Sequence, residues 1–105
     1  MRTLEFVADK QLLRKDSNCD FSHIVAGSVG YLKAIFHLSP EWEGCRKAAS
    51  FWFDDAEYAV LLDDSDSCMI PEAILGGDRF RVSVVGVKAG YKITTNKVKV
   101  KQEVG

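Results

Sequence analysis

Two histidines, three cysteines and one acidic run are the groups in this chain whose types could do chemistry. A nucleophilic serine or thiol needs a near-neutral base beside it, so His23 or His37 would have to serve any Ser/His/Asp or Cys/His relay. Neither sits in a recognisable frame. The chain has no G-x-S-x-G elbow, no H-E-x-x-H pair and no glycine-rich strand-to-helix loop for a phosphate. Asp63-Asp64-Ser65-Asp66 starts like a calcium loop, with Asp64 and Asp66 at the spacing of its first two ligands. Counting from Asp64, the sixth position is Met69 instead of glycine and the twelfth is Leu75 instead of glutamate, so that geometry cannot be built. Cys19, Cys45 and Cys68 are widely spaced and without C-x-x-C, which reads as reduced thiols used as small core residues. The expectation is a chain without catalytic residues, metal ligands or cofactor.

Length and charge narrow the classes further. At 105 residues the chain is expected to form one domain over 1–105, large enough to bury roughly two thirds of its unfolded surface without staples. Its apolar runs fall far short of the ~20 residues that cross a bilayer. Met1-Arg2-Thr3-Leu4-Glu5 lacks the apolar stretch of an export signal, so synthesis in the cytoplasm without a signal peptide is expected. A net charge of −1 argues against nucleic acid as a partner. The charge is nevertheless segregated. From Asp54 to Asp66 every charged residue is acidic, whereas Arg79, Arg81, Lys88, Lys92, Lys97, Lys99 and Lys101 dominate the C-terminal quarter. One edge or end is therefore expected to be basic.

The elements that would position these groups follow a period of two. Lys97-Val98-Lys99-Val100-Lys101 alternates charge with β-branched residues, as a half-buried strand does, and Phe80-Arg81-Val82-Ser83-Val84 repeats the rhythm. Further strands are expected over 3–8, 31–38, 46–53, 57–62 and 79–87, with a last one over about 92–104 interrupted by Thr94-Thr95-Asn96. Residues 21–28 read as a short strand or an irregular connection. Asp54-Asp55-Ala56 turns one hairpin without the glycine that the tightest loops prefer, and Lys88-Ala89-Gly90-Tyr91 turns another. Trp42, in the turn Pro40-Glu41-Trp42-Glu43-Gly44, should plug the open end of the fold. Proline at the start, glutamate in the first turn and Gly76-Gly77 at the end give a short helical link over 71–75. The sum is an all-β, immunoglobulin-like antiparallel β-sandwich of about seven strands. Trp52 and Ile35, on the parity opposite the core, are candidate interface residues together with Lys97, Lys99 and Lys101.

An ordered series of motifs then carries a family resemblance. Phe36-x-Leu38, Glu41-Trp42-Glu43-Gly44, Lys47-x-Ala49-x-Phe51, Tyr58-x-Val60-Leu61-Leu62, Cys68-x-Ile70-Pro71, Phe80-x-Val82-x-Val84-x-Gly86 and Ile93-Thr94-Thr95-Asn96-x-Val98-x-Val100 follow one another between residues 31 and 101. Together they resemble a small β-sandwich domain of tailed bacteriophages and prophages, similar to the N-terminal part of upper baseplate and tail-fibre proteins. The resemblance implies structural roles for Trp42, Gly44, Phe51, Pro71, Thr94, Thr95 and Asn96. It also implies a non-enzymatic virion component in a baseplate, tail or head fibre, acting in assembly or attachment. The implied partners are other phage structural proteins and further copies of the chain, with neither membrane nor nucleic acid involved. The chain ends where the sandwich is expected to end, without the coiled coil or receptor-binding tip of the long fibre proteins. The competing expectation is a carbohydrate-binding module that stacks Trp52 and tyrosines on bacterial surface glycans.

Overall fold

Alternating burial builds two facing layers in the computed structural model, which describes residues 1–104. In chain order the elements are β1 (Arg2–Asp9), β2 (Leu12–Lys15), β3 (Leu32–Leu38), a 3-10 turn (Pro40–Trp42), β4 (Arg46–Phe53), β5 (Ala56–Leu61), β6 (Ser67–Met69), a second 3-10 turn (Glu72–Ile74), β7 (Arg79–Lys88), β8 (Tyr91–Thr94) and β9 (Val98–Lys101). One sheet has the order β2-β1-β3-β6. The other runs β5-β4-β7, with β8 and β9 sharing the far side of β7.

The fold is the expected all-β sandwich, with two corrections. There are nine strands among the described residues instead of about seven: Leu12–Lys15 and Ser67–Met69 pair where the sequence suggested connections, the last expected strand is two, β8 and β9, and residues 21–28 are an irregular connection with a single bridge at Val25. The sandwich is not wholly antiparallel: β1 and β3 run parallel from Arg2↔Leu32 to Ala8↔Leu38. β2 brings the chain back along β1, and residues 16–31 then cross from that side of β1 to the start of β3, giving the long connection that a parallel neighbour requires. Alternation specifies the buried face of a strand and is silent on the direction of its neighbour. The helical link over 71–75 is a 3-10 turn capped by Pro71, and a second such turn holds Trp42.

The inner faces supply one core. Leu4, Phe6, Ala8, Ala34 and Phe36 come from one sheet and Ala49, Phe51, Phe80, Val82, Val84 and Val100 from the other, all buried. Phe6 and Phe36 stack at 5.3 Å between centroids, directly paired across β1 and β3. Trp42 closes one end, buried, with its indole N–H donating to the Lys10 carbonyl at 2.9 Å. That plug explains a glycine. Gly86 has the inward parity of Phe80, Val82 and Val84, and a Cβ there would stand 2.9 Å from the Trp42 ring, closer than packed carbons approach. The β4–β5 hairpin, which lacks glycine, turns because Asp54 adopts φ +52°, a left-handed conformation that aspartate tolerates better than most residues.

Candidate functional site

The structure places several residues of the motif series in internal contacts, while Tyr58 and Leu61 are exposed. Phe51 is fully buried, Pro71 caps the second 3-10 turn, and Gly44 takes φ +77° on the way from Trp42 into β4. Thr95 and Asn96 act as substitute backbone. The Thr95 hydroxyl oxygen accepts the Val84 N–H at 2.9 Å, while the Asn96 carboxamide accepts the Leu13 N–H at 2.7 Å and donates to the Leu13 carbonyl at 3.1 Å. The interruption between β8 and β9 is thereby sewn to its own sheet through Thr95 and to the opposite sheet through Asn96. Thr94 contributes only its carbonyl, to the Gln11 amide.

The groups capable of chemistry are engaged likewise. Asp63 accepts the N–H groups of Ser65 and Ser67, and Asp66 pairs with Lys47 at 2.7 Å, so two carboxylates of the acidic loop hold the loop itself. His37 faces outward, as its parity requires, and its Nε2 meets Glu5 at 2.8 Å. Asp16 brings a third ligand atom, the set lying within 4.8 Å of one another. This trio escaped the sequence, for its members come from three separate segments. Asp16 already accepts the Asn18 N–H at 3.0 Å, and the histidine and glutamate of the trio are half-exposed, as in an ordinary cross-strand polar contact. His23 is exposed beside Glu103, remote in sequence, at 3.4 Å. The three cysteines are free thiols, Cys68 buried and the other two half-buried.

The surface residues divide sharply. Trp52 lies outside the core as expected, yet its ring is covered: the Lys97 ammonium sits 3.8 Å from the ring centroid, and the indole N–H donates to Ser83 at 3.1 Å. A stacking platform for a sugar would need that face free. Ile35 is half-buried and lines a shallow depression of about 650 Å³ with His37 and Arg14. Lys99 and Lys101 point into solvent from β9.

The feature absent from the sequence reading is the edge position of β5, itself expected as a strand over 57–62. It is the outermost strand of its sheet, and Ala56, Glu57, Tyr58, Ala59 and Leu61 are all exposed, Leu61 by 66%. A strand so exposed, with only Val60 packing against the core, is the sort of edge that natural proteins cover, shorten or fill with charge. Known protein families, curated proteins and solved structures yield no match to this chain.

Proposed function

We propose that the chain is a non-enzymatic structural component of a tailed bacteriophage or prophage particle, in a baseplate, tail or head-fibre assembly, where it joins other virion proteins and further copies of itself. The motif series between residues 31 and 101 supports the phage setting. One observation carries the surface-acting role: β5 is an exposed edge strand, paired with β4 on one side only and carrying apolar Tyr58 and Leu61, the kind of edge used for strand addition to a partner. In a symmetric particle such contacts are repeated, and weak single interfaces are compounded by valency.

Particle association tests the reading. Virions purified from a lysate of the host carrying this gene should contain the chain, retained through density-gradient banding and seen by mass spectrometry. Recovery of the expressed chain wholly in the soluble fraction, with intact particles lacking it, would refute the proposal.

A further inference from the structure

The two outer edges of the five-stranded sheet are chemical opposites. Hydrogen-bond alternation shows which backbone groups each edge leaves free. The Leu62 N–H donates to the Lys47 carbonyl in the β4–β5 ladder, which sets 49↔60 and 51↔58 as bonded pairs and turns the N–H and C=O of Glu57, Ala59 and Leu61 outward. In the β7–β9 ladder the Gln102 N–H donates to the Asp78 carbonyl, so 80↔100 and 82↔98 are bonded and Lys99 and Lys101 face outward. No described residue accepts from or donates to these outward groups. Around β5 lie Asp54, Asp55, Glu57, Asp63 and Asp64, and along β9 lie Lys97, Lys99 and Lys101.

We infer that β5 of one copy pairs with β9 of the next, a head-to-tail contact that continues the sheet from molecule to molecule. The pairing pattern matches along Lys97–Lys101, the stretch of this edge left open between Asn96, whose N–H donates to the Gln11 carbonyl, and Glu103, which bridges to Val25. Each step across β5, β4, β7 and β9 reverses strand direction, so a copy translated across the sheet presents β9 antiparallel to β5. The outward backbone groups on both edges belong to residues with outer-face side chains, as the pleat demands of directly opposed residues. Glu57 then opposes Lys101, and Ala59 opposes Lys99. On the inner face, Tyr58 and Val60 meet Val100 and Val98, extending the apolar layer. A β5–β5 pair would instead crowd like charges. Because the two patches differ, the contact is heterologous and propagates as an open chain. This inference gives the self-association in the proposed function its surface, and it is tested on purified protein, so its failure and the failure of particle association are separately visible.

Sedimentation velocity over about two decades of concentration, in low and high salt, provides the test. The wild-type chain should form a concentration-dependent ladder of species that shrinks in high salt as screening shortens the reach of the charges. Glu57→Lys alone and Lys99→Glu with Lys101→Glu should each sediment as monomers, while an equimolar mixture of the two variants regains the ladder, since every contact between unlike variants pairs opposite charges. Ala59→Pro gives a backbone control. Its lost N–H is one that β4 does not use, so the far-UV spectrum should persist while assembly disappears. A wild-type chain that stays monomeric at the highest concentration in low salt, a closed dimer, or a ladder that survives Ala59→Pro would overturn the inference.

Discussion

At the scale of single residues, what the sequence disclosed was sidedness and what it withheld was partnership. Trp42 as a plug, His37 outward and the inward valines of β9 all follow from parity and turn composition. That Lys97 would lie on Trp52, or Asn96 on Leu13, requires knowing which segments meet. Cys68 illustrates how a residue placed only as a core thiol acquires a measurable property from its surroundings. Burial, with a smaller push from the Asp63 carboxylate, raises its thiol from an ordinary 9.0 to about 12. An unfolded chain ionises this thiol from about pH 9 upward, whereas the folded chain keeps it protonated until near pH 12. Its contribution to stability is thus complete below pH 9 and is lost progressively as pH rises through that window. Thermal unfolding of wild type and Cys68→Ala, compared at pH 8 and pH 10.5, should show a steeper alkaline loss of Tm in the wild type, other titrating groups being common to both. Parallel slopes would contradict the assignment.

At the scale of elements, strand positions were largely legible and strand neighbours were not. β3, β4 and β7 begin or end within about two residues of where alternation and turn chemistry place them. β2 and β6 were missed because four- and three-residue strands are too short to establish a period. The edge status of β5 was hidden for a different reason: Ala56–Leu61 reads as any hairpin strand, and only the sheet order shows that nothing lies beyond it. The link between β8 and β9 was legible in kind, since Thr95 and Asn96 do hold a bend through side-chain hydrogen bonds, but its reach across to β2 was not. That reach is testable. Leu13 is 2% exposed, and its N–H and carbonyl both depend on the Asn96 carboxamide. Asn96→Ala leaves two buried backbone groups unpaired and should destabilise the fold by about 1–3 kcal/mol in denaturant titration. The Leu13 amide should also lose its hydrogen-exchange protection. A loss under about 0.5 kcal/mol, the level of a surface substitution, would show that water replaces the clamp freely.

At the scale of the whole molecule, neither sheet owns a core. The chain lays β1–β3 and β6 in one layer and β4, β5 and β7–β9 in the other, crossing between them repeatedly. The apolar face of each layer is covered by the other, with Trp42 and Ile74 filling in between. Ties at the margins add to this interdependence: the Val25–Glu103 bridge brings the 16–31 connection against the segment after β9, and Asn96 joins the five-stranded sheet to β2. Pulling the layers apart would expose both apolar faces at once, at roughly 25 cal/mol for each Å² wetted, with no compensating structure left behind. The sandwich should therefore unfold in a single step. In Trp52→Phe the remaining indole, Trp42, reports the space between the layers, whereas far-UV circular dichroism reports both sheets. Their urea transitions should share one midpoint and one slope, the signature of two-state behaviour. If Trp42 becomes exposed well before the sheet signal falls, the end of the sandwich opens independently, and the two layers are less dependent on each other than their shared core implies.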